Sequence, residues 1–151
     1  KRAGCELLIY GIESFSDAIL KKMKKKFTAR LAERIIRDTH SAGIKVYINL
    51  IVGFPGETEK EFEETLHMIE QNASFITGIG SLNACFLSSN SDLVNFPHDY
   101  GISLTRYDLR VSRVWESSDG LNTYRVRRER MERLFTLTSK LGLCQQVTVN
   151  V

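Results

Sequence analysis

The chain has 151 residues, of which 42% are hydrophobic and 26% are charged, a composition typical of one globular domain with its own core rather than of a disordered chain. No apolar run reaches the roughly 18 residues of a membrane-spanning helix, and the N-terminus shows a strand pattern instead of a signal peptide, so we expect a cytoplasmic protein without a membrane partner. The formal net charge of +3 indicates no specific polyanion, and we do not expect a nucleic-acid partner from it.

The first predicted strand is the nearly continuous apolar run from Glu6 to Ile12, a pattern typical of a strand covered on both faces. Either Ser14 or Ser16 can cap the short helix that follows. The lysine-rich run from Lys21 to Lys26 has two interpretations. We favour the solvated end of that helix, where lysine complements the helix dipole, over a phosphate-binding patch.

A second helix is predicted from Ala29 to Ser41. Its spacing places Leu31, Ile35 and Ile36 inward, and Gly43 is the usual residue for a left-handed helix end.

The segment from Lys45 to Thr58 has the most informative local pattern, KVYINLIVGFPGET. An apolar run ends at a Gly-Phe-Pro-Gly turn, and Thr58 with Glu61 then has the spacing of a capping box. The segment therefore predicts a buried parallel strand, a tight turn and a new helix. In α/β proteins this junction lies at the carboxyl end of the sheet, where ligands bind.

The rest of the chain continues the alternation less regularly. The remaining predicted elements are a helix from Glu59 to Gln71, a strand from Ile79 to Leu87, a loop from Ser88 to His98, a short strand from Leu109 to Trp115, a helix from Thr123 to Leu141 and a strand from Val147 to Val151.

This order predicts a single α/β domain over residues 1–151. Residues 1–90 form half of a TIM-like (βα) barrel with parallel strands and outer helices, and residues 91–151 form a helical and mixed C-terminal extension. Half a barrel has an unpaired strand edge and an uncovered inner face. We therefore expect either self-association or coverage of that face by the C-terminal segment.

Cysteine and histidine residues predict no metal site and no catalytic grouping. The cysteines Cys5, Cys85 and Cys144 are far apart, and packing in the core is the favoured interpretation for each. His40 and His67 fall within predicted helices, and His98 is the only histidine near the expected mouth of the sheet.

The arginine-rich run from Arg125 to Arg133 alternates with apolar residues and predicts an amphipathic helix. Exposed arginines on its outer face are the favoured interpretation. The alternative function for the chain rests on this helix, as a non-catalytic module that binds RNA or a partner protein.

Four phrases carry a resemblance to a known family. In chain order they are LIYGIESFSD at 8–17, LKKMKK at 20–25, AGI at 42–44 and GFPGET at 53–58. In this order and at these intervals they resemble the second half of the radical S-adenosylmethionine core. The most similar class has an upstream cobalamin-binding domain and includes the anaerobic magnesium-protoporphyrin monomethyl ester oxidative cyclases.

The resemblance implies an S-adenosylmethionine site at the strand ends. Glu13, with Ser14 beside it, takes the position next to the ribose, although Glu13 could instead cap the following helix. The residues in the position of the adenine cradle are Asn49, Ile51, Gly53 and Phe54. Glu57 is interpreted as a helix N-terminal charge rather than as a catalytic base.

The family's cluster-binding CxxxCxxC motif is absent from the sequence. The resemblance therefore implies that a parent protein cleaves S-adenosylmethionine reductively at a 4Fe–4S cluster, with cobalamin as a further cofactor of the class, while this chain binds no cofactor and is inactive alone. The first residue is Lys and not Met, so we expect an excised fragment whose partner is the upstream half of its own chain.

Overall fold

The structure is a computed structural model that describes residues 3–103 and 111–145. Helices and strands alternate through its first half, and shorter elements follow. The elements are β1 Leu7–Glu13, α1 Asp17–Lys22, α2 Ala29–Ser41, β2 Lys45–Val52, α3 Glu59–Asn72, β3 Gly78–Ala84, β4 Leu87–Ser88, α4 Asp92–Asn95, β5 Ile102–Ser103, β6 Val111–Ser112, β7 Glu116–Ser117, α5 Tyr124–Lys140 and β8 Cys144–Gln145.

The central sheet has the strand order β1-β2-β3-β8, and every pair in it is parallel. Helices connect consecutive strands because parallel pairing requires a long crossover. The ladder between β1 and β2 places Tyr10 opposite Ile48 and shifts register between Gly11 and Glu13. The predicted α/β class, a partial (βα) barrel with parallel strands and outer helices, is confirmed.

One face of β2 forms the centre of the core. The buried side chains of that strand are Val46, Ile48, Leu50 and Val52. They pack in one cluster with Ile36 of α2, Phe62 of α3 and Leu134 of α5. Each such fully buried side chain contributes about 1.5–3 kcal/mol, so this layer holds the three helices on one face of the sheet.

The strand β1 lies at the open edge of the sheet. Its residues Leu7, Leu8 and Ile9 are exposed, Ile9 to 56%. The prediction of a strand covered on both faces is therefore wrong for the first half of β1. An apolar run shows that both faces can be buried, but a neighbouring segment must be present to bury them. Among the described residues β1 pairs only with β2, which agrees with the predicted unpaired edge, and self-association stays a prediction.

The helix α2 has the predicted bounds but a different inner face. Its buried side chains are Ala32, Ile36 and Thr39. Leu31 is exposed and Ile35 is only half-buried, so two of the three predicted inward residues are wrong. The hydroxyls of Thr39 and Tyr10 lie 2.7 Å apart, so the buried face of α2 also contacts β1 through a polar pair.

Beyond Ala84 the chain leaves the sheet earlier than predicted. The third strand does not extend to Leu87, since β4 pairs with β6 in a separate two-stranded ladder. The predicted loop from Ser88 to His98 contains the short helix α4 and leads into a 3-10 turn, Pro97–Tyr100. A second, smaller cluster forms here from Leu87, Ile102 and Trp115.

The C-terminal helix α5 begins after Thr123, whose hydroxyl accepts a hydrogen bond from Val126 N–H at 3.3 Å, and it ends close to the predicted residue. A last parallel strand, β8, begins at Cys144, before the predicted start. The predicted strand from Val147 to Val151 lies outside the described residues. Within the described residues no helix is both long enough and apolar enough to cross a membrane.

Candidate functional site

The sheet face opposite the helices gathers part of the predicted site. The ladder places Gly11 opposite Asn49 and Glu13 opposite Leu50, so the ends of β1 and β2 lie side by side. Ile9 and Asn49 both approach the position where a Cβ on Gly80 would be. This inner surface, defined here by Ile9, Gly11, Glu13, Asn49 and Gly80, is the candidate site.

Two glycines shape the inner surface. A Cβ on Gly80 would lie 2.6 Å from Asn49 Oδ1, and a Cβ on Gly11 would lie 2.9 Å from Glu13 Oε1. Both distances are below any normal contact. The absence of side chains at these positions therefore lets the Asn49 amide and the Glu13 carboxylate lie flat against the sheet.

The Glu13 carboxylate is half-buried beside a lysine. Lys25 Nζ lies 3.6 Å from Glu13 Oε1 and donates a hydrogen bond to Gly11 O at 2.9 Å. Burial raises the pKa of Glu13 above its ordinary value, and Lys25 opposes that rise. Glu13 also has a positive φ of 71°, an uncommon conformation for a residue other than glycine. Backbone strain of this kind concentrates at functional positions.

Ser14 does not share the inner surface. It is fully buried, its hydroxyl lies 3.3 Å from Thr65 Oγ1 of α3, and it accepts a hydrogen bond from Ser16 N–H at 3.1 Å. The packing therefore does not support the prediction that Ser14 contacts the same ligand as Glu13. Ser14 joins α1 to α3 instead.

The predicted cradle residues Ile51 and Phe54 are partly covered. Both pack against the smaller cluster, and the Phe54 ring meets Tyr100 edge-to-face with centroids 6.2 Å apart. The C-terminal segment thus covers the inner face at the carboxyl end of β2, one of the two outcomes expected for an open half-barrel. Ile9 and Gly11 lie beyond this cover and are exposed.

Gly53 is buried at the end of β2, and its backbone is fully engaged. Its N–H donates to Glu57 Oε2 at 2.7 Å, and its carbonyl accepts from Asn122 Nδ2 at 3.0 Å. The φ of +75° requires glycine, and the turn closes where Glu57 N–H donates to Phe54 O at 2.9 Å. The backbone N–H and carbonyl of Gly53 therefore each have a protein partner.

Glu57 was predicted as a helix N-terminal charge rather than a catalytic base, and the structure places it in the interior. Its carboxylate is buried, and Arg130 Nη1 lies 3.2 Å from Oε2. Burial raises the pKa of Glu57 to about 7, against the opposing effects of the Gly53 N–H and the Arg130 guanidinium. Glu59 and Glu61 are the charges in the first turn of α3. Glu61 accepts a hydrogen bond from Thr58 N–H at 2.9 Å, and the Thr58 side chain accepts from the Glu61 backbone N–H, so the predicted capping box is confirmed.

Arg127 is among the largest fully buried side chains. Its Nη1 donates to the carbonyl and the side-chain oxygen of Asn122, and its Nη2 donates to the carbonyls of Arg113 and Trp115. The guanidinium carbon also lies 4.0 Å from the Trp115 ring centroid. Burial lowers the pKa of Arg127 to about 10. Of the three guanidinium nitrogens of Arg127, only Nε lacks a hydrogen-bond partner among the described residues.

The interpretation of the arginine-rich run as exposed is therefore wrong for Arg127 and Arg130. Arg133 lies on the surface but pairs with Glu59 and Glu63 of α3. The remaining two arginines pair with glutamates of their own helix, Arg125 with Glu129 and Arg128 with Glu132. Because each arginine already has a protein partner, α5 offers little support for a free RNA- or protein-binding surface.

A cleft of about 880 Å³ lies on another side of the β2–α3 turn. None of the six predicted site residues lines it. Its charged lining residues are Lys21, Lys22, Lys24, Asp92, Asp99 and Asp119. Lys24 pairs with Asp92 at 2.5 Å, so the lysine run is partly neutralised and the cleft does not accumulate charge of one sign.

The remaining sequence-derived expectations concern thiols and imidazoles. Cys85 is buried, with its thiol pKa raised to about 12 by burial, whereas Cys5 is only half-buried and the side chain of Cys144 lies outside the described part. His98 lies on the surface within a 3-10 turn. Among the described residues no group of three His, Cys, Asp or Glu side chains could hold a metal ion.

Comparison with known proteins places this geometry in context. Residues 1–69 match the family model described as the Radical SAM superfamily. A tRNA-2-methylthio-N(6)-dimethylallyladenosine synthase of Thermoanaerobacter sp. (strain X514) is 31% identical over 141 residues, which is 92% of this chain and 25% of that protein. A synthase of the same name from Anaplasma phagocytophilum is 44% identical over 61 residues, which is 39% of this chain and 14% of that protein.

The chain therefore spans a quarter or less of these curated relatives. A solved structure, the archaeal Methanocaldococcus infernus Elp3 with an N-terminal deletion, superposes with a TM-score of 0.56 and covers 97% of this chain and 38% of that one. Its 16% identity makes this a likeness of fold alone. The relatives do not support the expected cobalamin-binding cyclase class. Residues 1–69 thus match the Radical SAM superfamily model, and the likeness of fold extends over 97% of the chain.

Proposed function

We propose that this chain supplies the nucleoside side of an S-adenosylmethionine site in a larger radical S-adenosylmethionine enzyme. The single observation that carries the proposal is the pairing of the two predicted strand ends, because it brings the Glu13 carboxylate and the Asn49 amide onto one sheet face. The superfamily match covers both strands.

The residues present fit an adenosine group. A carboxylate accepts two hydrogen bonds from ribose hydroxyls, and an amide can both donate to and accept from an adenine edge. Gly11 and Gly80 provide the flat surface that an aromatic base needs beside these two groups. Lys25 pairs with Glu13 Oε1, the carboxylate oxygen that lies beside Gly11 on the inner surface.

The chemistry of such an enzyme would come from S-adenosylmethionine, which supplies an organic radical when a reduced iron–sulfur cluster cleaves it. The described residues contain no ligand set for that cluster, so no step is assigned to it here. This chain's part is to bind and orient the nucleoside and to hold the Glu13 carboxylate in place. The cluster ligands would belong to another part of the whole protein.

For the substrate of the whole protein we propose an adenosine of tRNA. The relatives named above are synthases of a methylthio-modified adenosine in tRNA, and the likeness to one of them runs through 92% of this chain, well past the superfamily segment. Cobalamin chemistry has no support from these relatives.

The test uses the whole protein, reconstituted anaerobically with iron and sulfide and reduced with dithionite. We expect 5′-deoxyadenosine from S-adenosylmethionine, and a KM for S-adenosylmethionine that rises about tenfold or more in Glu13→Ala, since a hydrogen bond to a charged group is lost. The matched control is Glu70→Ala, an exposed glutamate on the outer helix α3. Absence of 5′-deoxyadenosine would refute the enzyme class, and equal KM values in both variants would refute the role of Glu13.

Two further measurements separate the parts of the proposal. The 151-residue chain, treated with iron and sulfide in the same way, should show no four-iron absorption band. Added tRNA should increase consumption of S-adenosylmethionine by the whole protein, and no increase would refute the substrate class alone.

A further inference from the structure

We infer that Asn122 and Arg127 are positioning residues that hold the turn at Gly53 and Phe54 in place. They thereby set the shape of the end of the inner surface, where the nucleoside is proposed to bind. The inference rests on the proposed function for its consequence. Both residues belong to the C-terminal segment, outside the superfamily match over residues 1–69, and would act on the site indirectly.

Asn122 reaches both carbonyls of the turn. Its Nδ2 donates to Gly53 O at 3.0 Å and to Phe54 O at 3.3 Å, while its Oδ1 accepts from Arg127 Nη1 at 3.0 Å. The residue is buried, and Ser117 Oγ accepts from its backbone N–H at 2.9 Å. Every polar group of the Asn122 side chain is therefore used to connect the turn with Arg127.

Arg127 forms the wall behind the turn. A Cβ on Gly53 would lie 2.5 Å from Arg127 Cδ and closer still to Cγ, so the arginine stem lies directly against the Gly53 backbone. The guanidinium cannot move away, since it stacks on Trp115 and donates to three different carbonyls. The turn can shift only if this buried group shifts with it.

The side of the same turn that faces away from Arg127 continues the inner surface. The preceding strand carries Asn49 and Ile51 on the nucleoside side, and Phe54 extends from the turn toward Tyr100. Since Glu57 holds the Gly53 N–H and Asn122 holds its carbonyl, the two peptide planes of Gly53 have one orientation. That orientation fixes where the end of β2 can meet a nucleoside.

The experiment combines hydrogen exchange with ligand affinity in two variants. Asn122→Asp keeps the size of the side chain but sets an acceptor against two carbonyls, and Arg127→Lys keeps the charge but loses the forked donors. The matched controls are Asn95→Asp at the exposed end of α4 and Arg128→Lys on the exposed face of α5. Exchange of the Gly53 and Ile48 amides is followed in the 151-residue chain, and the dissociation constant of S-adenosylhomocysteine is measured on the whole protein.

We expect Gly53 exchange to accelerate about tenfold more than Ile48 exchange in both variants, because release of the Gly53 carbonyl lets the turn open and separates the Gly53 N–H from Glu57 Oε2. A merely structural role would accelerate both amides equally, because Ile48 reports global opening. The dissociation constant should rise about tenfold in the variants and stay within about twofold in the controls.

The outcomes distinguish the two proposals. If Gly53 and Ile48 exchange change together, the positioning role is overturned, whether or not the nucleoside binds. If Gly53 exchange changes selectively but affinity matches the controls, the turn is held but does not shape the site, and the inference is again overturned. If the wild-type whole protein binds no S-adenosylhomocysteine, the proposed function fails, and Gly53 exchange still decides whether Asn122 and Arg127 hold the turn.

Discussion

The substitution Gly53→Ala tests how tightly β2 and α5 are packed at the carboxyl end of the sheet. Two independent penalties follow from the structure. The first is conformational, because a φ of +75° costs a residue with a Cβ about 1–2 kcal/mol. The second is steric, because the new Cβ would lie 2.5 Å from Arg127 Cδ.

The steric penalty cannot be relieved cheaply. Arg127 is fully buried, and its guanidinium is bonded to Asn122 and stacked on Trp115, so displacing the stem would break contacts made by a buried charge. Overpacking of a well-ordered interior costs about 1–3 kcal/mol. We therefore expect Gly53→Ala to lower the free energy of unfolding by about 2–5 kcal/mol, the sum of both penalties.

The matched control is Gly43→Ala. Gly43 has nearly the same φ, +72°, but a Cβ there would meet no atom within 4 Å. It isolates the conformational penalty of about 1–2 kcal/mol. Urea unfolding at equilibrium, followed by helix circular dichroism and by the fluorescence of the only tryptophan, Trp115, gives both values. Equal losses in the two variants would refute the packing argument.

Three further predictions concern single side chains. The pKa of Glu57 is raised from 4.5 to about 7, so between these pH values the folded chain keeps a proton that the unfolded chain releases. The free energy of unfolding should therefore fall by about 1.4 kcal/mol for each unit by which the pH rises from 4.5 to about 7. Glu57→Gln should remove that slope in urea titrations at pH 5, 6 and 7, and parallel profiles for the two proteins would contradict the shift. Trp115→Phe should cost about 1–3 kcal/mol in thermal unfolding, because Trp115 Nε1 donates to the buried Cys85 carbonyl at 2.9 Å, and an unchanged melting temperature would count against that bond. Thr58→Ala should cost about 1 kcal/mol, because the Thr58 side chain accepts from the backbone N–H of Glu61 in the capping box, whereas Thr136→Ala, at an exposed position of α5, should cost less, and the reverse order would contradict the cap.

The strand, turn and helix around Gly53 could be predicted from the sequence because their signals are local. The apolar run, the Pro-Gly turn and the Thr58–Glu61 spacing all lie within a few residues of one another, and each favours the same structure. The ends of β1 and β2 lie side by side for a similarly simple reason, whereas the register shift at Glu13 could not be predicted. Parallel pairing brings the ends of consecutive strands together whatever the residues between them are.

The sequence interpretation missed the buried arginines because it took charge as evidence of exposure and gave helical periodicity less importance. Met131 and Leu134 lie on the inner face of α5, and Arg127 and Arg130 precede them at helical spacings of four, so the period already placed both arginines inside. Their partners could not be predicted in the same way. Arg127 and Asn122 meet Gly53 across 69 or more residues of sequence, and Arg130 meets Glu57 across 73.

The wrong interpretation of β1 has a different origin. Burial of Leu7 to Ile9 depends on a neighbour beyond the open edge, and no pattern within the strand itself reports whether that neighbour is present. The inner face of α2 was misjudged for a related reason. The buried side chains of that helix are Ala32, Ile36 and Thr39, and the contact of Thr39 with Tyr10 of β1 is one that apolar spacing within α2 does not report.

The open edge of β1 also has a consequence for reassembly in trans. Along its other side β1 is held in a fixed register with β2, from Leu7 opposite Lys45 to Gly11 opposite Asn49. An added polypeptide with a parallel strand would therefore meet an ordered template and would pay the entropy of ordering for one strand only. We propose that a polypeptide with a complementary parallel strand, when mixed with this chain, would add to β1 along Leu7 to Ile9.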